Sequence, residues 1–141
     1  MGRFLSWRGA LLPWLLAGVI GCRRAPALPH VVIRTALGEI EVEIDTIRAP
    51  ITAGNFLRYV DAGAYTGARF HRTVTLQNQG DRPIRIEVIQ GGLDSARFHD
   101  WPPIPLERTS LTGLRHRNGA ISMARDGPDT ATSDFFICIG D

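Results

Sequence analysis

GAISMARDGPDTATSDFFICI, residues 119–139, is the most informative stretch of the chain. It holds two short apolar runs, Ala120–Ala124 and Phe135–Ile139, with Gly127-Pro128 between them. Short apolar runs bounded by glycine, proline and small polar residues are typical of buried strands. We therefore predict two buried strands here. Cys138 lies inside the second run, where a lone cysteine is usually a small buried hydrophobic residue.

Upstream of this stretch, the sequence predicts a hairpin followed by a helix. Residues 31–35 and 40–44 are both rich in β-forming residues, and the second run strictly alternates apolar and acidic side chains. This pattern is typical of a half-buried antiparallel strand. Pro50 suits the first turn of a helix, and Gly63 is suited to end it. The apolar stripe of that helix consists of Ala53, Phe56, Leu57 and Val60.

Two longer runs in the middle of the chain are predicted to form a second hairpin. These are residues 69–76 and 84–90, separated by the turn-forming segment 78–83. Residues 93–118 contain several prolines and little periodicity, and this composition predicts a long loop with short ordered turns. Several antiparallel strands with one clear helix indicate a mainly β fold whose sheet closes toward a barrel.

Three segments of the chain stand out as motifs: Thr52-Ala53-Gly54-Asn55-Phe56, then Phe70-His71-Arg72 with Ile89-Gln90-Gly91-Gly92, and finally 119–124 with Gly127-Pro128 and Ser133-Asp134-Phe135-Phe136-Ile137. The third is long and specific, and all three, in this order, resemble cyclophilins. The likeness covers residues 31–141. It implies a cyclophilin-like antiparallel β-barrel of eight strands with capping helices, and peptidyl-prolyl cis-trans isomerase activity.

The resemblance also implies a set of site residues. Arg72 matches the catalytic arginine that reaches the substrate proline, and Gln90 matches a catalytic glutamine that lines the same groove. Ala124 matches an alanine whose backbone and methyl group help to hold the peptide. Phe136 matches the aromatic floor of the proline pocket.

These residue types fit the chemistry of an X-Pro bond. Amide resonance imposes a rotation barrier of about 18–20 kcal/mol, and no bond to a heavy atom needs to break. In the twisted transition state, the amide nitrogen regains its lone pair and can accept a hydrogen bond. A donor aimed at that nitrogen therefore binds the transition state better than the ground state. Arginine offers a planar, permanently charged fork of donors for this purpose. The reaction requires no cofactor and no metal.

The chain departs from the family pattern at three points. The segment between Arg72 and Gln90 is about ten residues longer than usual, and we predict an extended hairpin at the rim of the groove. Glu87 and Val88 stand where the family carries Phe-Met, so a carboxylate replaces a large apolar contact and could pair with Arg72. The chain also ends at Asp141, before the tryptophan, histidine and final strands of the family, so residues 31–141 are expected to form a partial domain.

The N-terminus has the features of a secretory signal. Arg3 and Arg8 precede an apolar stretch of about a dozen residues, which is short of the roughly 20 needed to cross a bilayer. Residues 19–22, Val-Ile-Gly-Cys, resemble the lipobox of bacterial lipoproteins. We expect a signal peptide over residues 1–21, lipidation of Cys22 and a tether over residues 22–30. The alternative is a plain signal peptide with a chance cysteine.

Composition narrows the range of partners. The 141 residues carry a formal net charge of +2, with 44% hydrophobic and 21% charged residues, as in one ordinary domain. Four of the arginines lie within the first 24 residues, so the remainder is slightly acidic. A nucleic-acid binder would be expected to show a clustered basic excess, and we predict no nucleic-acid partner.

We accordingly expect a monomer of the bacterial cell envelope, lipid-anchored to a membrane and facing the periplasm or exterior. Its expected partners are proline-containing peptides or unfolded exported proteins, whose folding it would assist. Two alternatives remain open: a proline-peptide-binding lipoprotein without catalysis, and an inactive truncated fragment.

Overall fold

A computed structural model describes residues 27–81 and 83–141. The signal peptide predicted over residues 1–21, the lipidation site at Cys22 and most of the tether lie outside the described residues. Within the described residues, no helix is long and apolar enough to cross a membrane. The strands are β1 (His30–Thr35), β2 (Gly38–Glu43), β3 (Arg69–Val74), β4 (Val88–Gly92), β5 (Ile121–Met123) and β6 (Phe135–Cys138), and the helices are α1 (Pro50–Asp61) and α2 (Thr109–Thr112).

The strands form two antiparallel sheets, which confirms the mainly β fold. β1 and β2 form a hairpin, and the other four strands follow the order β3-β4-β6-β5. The ladders of the described residues do not join the two sheets into a closed ring. Apolar side chains fill the space between the sheets instead. This main core consists of Val42, Ile44, Ala53, Phe56, Met123, Ala131 and Phe135.

The capping helix α1 is confirmed, including both of its predicted boundaries. Pro50 opens the helix, where its missing N–H costs no hydrogen bond. Gly63, at φ 65°, adopts the left-handed conformation beyond the end of the helix, and its N–H donates to the Val60 carbonyl at 2.9 Å. The buried face is wider than the predicted stripe, because Asn55 and Tyr59 are buried as well. Both side chains have polar partners in the loops that follow.

The second hairpin is confirmed, because β3 and β4 pair antiparallel, but its predicted extension between Arg72 and Gln90 is wrong. β3 ends at Val74 and β4 begins only at Val88, with no strand in the described residues between them. Side-chain amides of this segment form hydrogen bonds with backbone groups that would otherwise pair with a neighbouring strand. Asn78 accepts from Thr75 N at 2.8 Å and donates to Thr73 O at 2.9 Å. Gln79 likewise donates to Thr75 O at 2.7 Å, so this segment is a loop closed by its own amides.

A glutamate from a distant loop caps the N-terminus of α1. The N-cap residue Ala49 has no side chain that could bond the first N–H groups. The Glu107 carboxylate accepts from Ile51 N at 3.1 Å and from Thr52 N at 2.7 Å. A carboxylate at this end of a helix satisfies open donors and interacts favourably with the helix dipole.

Replacing Glu107 by alanine is therefore expected to lower the free energy of unfolding by about 1–2 kcal/mol. Urea denaturation followed by circular dichroism would measure the change. Glu39→Ala is the matched control, because Glu39 is an exposed strand residue whose ion pair with Arg34 contributes little. Equal losses in the two variants would contradict a capping role for Glu107.

Candidate active site

Three of the predicted site residues form a single row across the four-stranded sheet. Arg72 on β3 lies opposite Gln90 on β4, Gln90 lies opposite Phe136 on β6, and Phe136 lies opposite Ser122 on β5. Directly opposed residues of antiparallel strands point to the same face of the sheet. The structure therefore brings Arg72, Gln90 and Phe136 together. With strands about 4.8 Å apart, the backbones at Arg72 and Phe136 are about 10 Å apart.

A β-bulge in β3 aims Arg72 at this face. Phe70 lies opposite Gly91 and Arg72 lies opposite Gln90, so His71 is an extra residue in the ladder. Phe70 can then pack edge-on against Phe135 in the main core, with ring centroids 5.9 Å apart. Without the extra residue, side chains two apart would share one face, and Arg72 would point toward the core.

The polar side chains of the row form a hydrogen-bond network. Arg72 Nη1 donates to Gln90 Oε1 at 3.1 Å, and Gln90 Nε2 donates to Asp134 Oδ2 at 3.0 Å. His71 Nε2 lies 3.5 Å from the same Asp134 oxygen. Arg72 is exposed and forms no ion pair with any carboxylate of the described residues. Its guanidinium is thus fixed at one nitrogen and open to solvent at the others.

The pairing of Glu87 with Arg72, raised by the sequence, is not formed. The Glu87 side chain lies beside Gly140. The backbone carbonyl of Glu87 accepts a hydrogen bond from Ile139 N at 2.9 Å. Val88 is buried, at 5% exposure, in a small apolar cluster with Val74 and Cys138. Its buried side chain therefore packs beside the row and does not provide an exposed contact for a substrate.

An aromatic patch forms the other end of the row. Phe136 is half-buried and packs on the cluster of Val74, Val88 and Cys138. The His116 ring lies 5.5 Å from the Phe136 ring, tilted by 43°. Burial raises the pKa of the Cys138 thiol, so this residue is a neutral apolar contact beneath the row, as the sequence predicts.

A cavity of 740 Å³ opens beside Phe136. Such a volume lies within the range of ligand-binding clefts. Its wall includes residues of β2, the start of α1 and the loop that carries His116, and it does not include Arg72 or Gln90. Apart from Phe136, its apolar lining includes Ile44, Phe56, Leu114, Ile121 and Met123.

Ala124 lies at the edge of the row but cannot offer its amide to a peptide. Its N–H already donates to the Asp134 carbonyl at 2.8 Å. The side chain is half-buried. The roles that the resemblance implies for the Ala124 methyl group and for the rest of its backbone stay predictions.

The sequence analysis assigned no site role to Asp134, His71 or His116. Asp134 directly precedes β6 and stands two residues before Phe136, and side chains at that spacing in an extended chain share a face. This spacing was the signal that could have found it. The positions of the two histidines depend on a bulge and on a long loop, neither of which leaves a periodic signal. Within residues 27–81 and 83–141, no group of three or more His, Cys, Asp or Glu side chains is arranged to hold a metal ion.

Gly92 makes room for the Asp134 carboxylate. A Cβ atom at this position would overlap the Asp134 side chain, so a larger residue forces that side chain to move. Because that carboxylate ends a partly exposed side chain, Gly92→Ala is expected to break its bond with Gln90 and to lower the free energy of unfolding by about 0.5–1.5 kcal/mol. Gly54→Ala is the control, because a Cβ there meets nothing within 4 Å and should stabilise the helix by about 0.5–1 kcal/mol. Urea denaturation of both variants checks that the free energy of unfolding falls in Gly92→Ala and rises in Gly54→Ala. A Gly92→Ala variant more stable than the wild type would contradict the close approach of Asp134 to Gly92.

The fold and the row together define a cyclophilin-type domain. The family described as cyclophilin type peptidyl-prolyl cis-trans isomerase matches residues 30–141. The chain therefore belongs to the cyclophilin-type peptidyl-prolyl isomerase family.

Curated relatives support the same assignment. The chain is 37% identical over 113 residues to peptidyl-prolyl cis-trans isomerase A of Dickeya dadantii, covering 79% of this chain and 55% of that protein. It is 34% identical over 128 residues to a peptidyl-prolyl cis-trans isomerase of Acinetobacter baylyi, covering 90% and 63%. A third relative, from Streptomyces antibioticus, is 34% identical over 111 residues, covering 77% and 61%. The chain thus spans about three fifths of the length of these relatives.

Proposed function

We propose that the protein catalyses cis-trans isomerisation of X-Pro peptide bonds, with Arg72 and Gln90 as catalytic residues and Phe136 in the substrate pocket. The observation that carries the proposal is the row in which Arg72, Gln90 and Phe136 lie opposite one another on three neighbouring strands. The row presents an exposed guanidinium to solvent and an aromatic ring beside a cavity, from strands whose backbones lie about 10 Å apart.

In this proposal, each residue of the row has a distinct task. The substrate proline ring packs on Phe136, which excludes water from one side of the peptide bond. The guanidinium nitrogens of Arg72 that do not bond Gln90 donate to the amide nitrogen as the bond twists. Gln90 holds the guanidinium in place through its Oε1 atom, 3.1 Å from Arg72 Nη1. Because the charged donor is positioned before the reaction, its stabilisation of the twisted amide carries little reorganisation cost.

The test is nuclear magnetic resonance exchange spectroscopy on a proline-containing tetrapeptide, with the full chain added at catalytic concentration. The uncatalysed bond exchanges in tens to hundreds of seconds, so acceleration is directly visible. Exchange at the uncatalysed rate, in protein that unfolds cooperatively, would remove the catalytic assignment.

A proline-peptide-binding role without catalysis is the second candidate. It is favoured by the burial of Val88, which leaves Phe136 and His116 as the apolar contacts seen along the row. Titration of the same tetrapeptide separates the two candidates. Saturable line broadening without faster exchange favours binding alone, and accelerated exchange excludes it.

We further propose that the protein is anchored to the bacterial cell envelope through lipidated Cys22 and acts as a monomer on exported proteins during their folding. The motif Val19-Ile20-Gly21-Cys22, after an apolar stretch, supports this. Acyl chains stabilise membrane attachment by about 0.8 kcal/mol per buried CH₂ group. In a bacterial host, the wild-type protein should enter the detergent phase of a Triton X-114 partition and Cys22→Ala should remain in the aqueous phase. Identical partitioning of the two would contradict lipidation.

A further inference from the structure

The network at the row extends one residue beyond the proposed catalytic pair. Asp134 Oδ2 accepts from Gln90 Nε2 at 3.0 Å, and Gln90 Oε1 accepts from Arg72 Nη1 at 3.1 Å. Gln90 is thus held at both ends of its side-chain amide, by the acidic side chain of Asp134 just before β6 and by the basic side chain of Arg72 on β3. We propose that Asp134 is a positioning residue that fixes the Gln90 amide and, through it, the Arg72 guanidinium; the proposal rests on the isomerase function proposed above.

The chemistry of Arg72, Gln90 and Asp134 permits only one orientation of the Gln90 side-chain amide. An ionised carboxylate only accepts hydrogen bonds, and a guanidinium only donates them. A glutamine amide has one accepting end and one donating end, so its NH₂ group must face Asp134 and its oxygen must face Arg72. If the amide were inverted, Gln90 NH₂ would face the Arg72 donors and Gln90 Oε1 would face the Asp134 oxygen. Both contacts would then be unfavourable.

The surroundings of Asp134 hold its carboxylate at this place. Its neighbours Ser133 and Phe135 are buried, at 1% and 5% exposure, so the backbone of Asp134 is anchored on both sides. Gly92, opposite, provides the space that the carboxylate occupies. The Asp134 side chain itself remains 39% exposed. His71 also faces it, with Nε2 at 3.5 Å from the same oxygen.

Alanine at position 134 would leave the Gln90 amide free to rotate. Arg72 would then lose its fixed acceptor for part of the time, and its guanidinium would sample other orientations. Small displacements of a catalytic group reduce rates strongly, while substrate contacts at Phe136 remain intact. The loss should therefore appear in kcat, with KM for the peptide nearly unchanged.

The experiment compares variants of the full chain by peptide exchange. Asp134→Ala is expected to lower kcat/KM about 10-fold, and Asp134→Asn, which can still accept from Gln90, about 3-fold. In the Arg72→Ala background, the same Asp134→Ala change should cost less than about 2-fold, because residues that act as a unit are not additive. Asp61→Ala, which removes an exposed carboxylate at the end of α1, is the control and should leave kcat/KM unchanged.

A structural role predicts a different result. If Asp134→Ala lowered kcat/KM by the same factor with and without Arg72, or raised KM alone, the positioning role would be overturned. If Asp134→Asn lowered kcat/KM as much as Asp134→Ala does, the result would also contradict a role for the acceptor oxygen.

A spectroscopic readout separates this inference from the isomerase proposal. In ¹⁵N-labelled protein, Asp134→Ala should shift the Gln90 side-chain amide resonances and broaden the Arg72 Nε–H signal, and Asp61→Ala should do neither. If wild-type protein fails to accelerate exchange, the proposed function fails, and these spectra still decide whether Asp134 fixes Arg72. Unchanged Gln90 and Arg72 signals would overturn the inference even in an active enzyme.

Discussion

Replacing Arg72 by alanine is expected to lower kcat/KM for a proline peptide about 100-fold to 1000-fold, which is the effect of removing one preorganised donor. The fold should persist, because Arg72 is exposed and its hydrogen-bond partner, Gln90, keeps its second bond to Asp134. Substitutions at exposed positions usually change the free energy of unfolding by no more than about 0.5 kcal/mol. Exchange spectroscopy measures the rate, and urea denaturation checks the fold.

Two further variants make the Arg72 result specific. Arg72→Lys keeps the positive charge but loses the planar fork, so it should recover only a small part of the activity. Arg34→Ala removes an exposed arginine from a strand of the other sheet and should leave the rate unchanged. Full activity of Arg72→Ala, or an equal loss in Arg34→Ala, would remove Arg72 from the mechanism.

Replacing Phe135 by alanine is expected to cause the largest loss of stability, about 3–5 kcal/mol in the free energy of unfolding. Phe135 is 5% exposed, and its ring packs edge-on against three others. The partners are Phe56 at 5.6 Å, Tyr65 at 5.5 Å and Phe70 at 5.9 Å between ring centroids. Removing the ring leaves a cavity at the point where β3, β6, α1 and the segment after α1 meet.

Urea denaturation of the full chain measures this loss. Since whole domains are stable by only about 5–15 kcal/mol, Phe135→Ala could leave the protein unfolded. Phe135→Leu retains most of the volume and should then give a smaller, measurable loss. Leu111→Ala, at a side chain that is 83% exposed, is the control and should change stability by less than about 0.5 kcal/mol. Equal losses at positions 135 and 111 would contradict the central role of Phe135.

Much of the site was accessible from sequence, because its residues lie in segments with a strong local pattern. Gln90 and Phe136 belong to short apolar strands, and Arg72 follows a core phenylalanine by two positions. The order of the three cyclophilin-like segments identified these residues, although the register of the strands was not known from the sequence. The loop between Arg72 and Gln90 was not predicted correctly, because its apolar residues at alternate positions imitate a strand. The amides of Asn78 and Gln79 replace the ladder there.

The sequence alone determined the mainly β class, the helix from Pro50 to its glycine stop, and the family residues of the row. Local periodicity and turn preferences contain that information, because they depend on neighbours within a few positions. Only the tertiary structure decided that His71 is bulged out so that Arg72 faces Gln90, and that Asp134 and Gly92 meet. Likewise, Glu107 caps a helix 56 residues earlier in the chain. Such contacts depend on strand register and on loop paths through space, and no local pattern of residues specifies either.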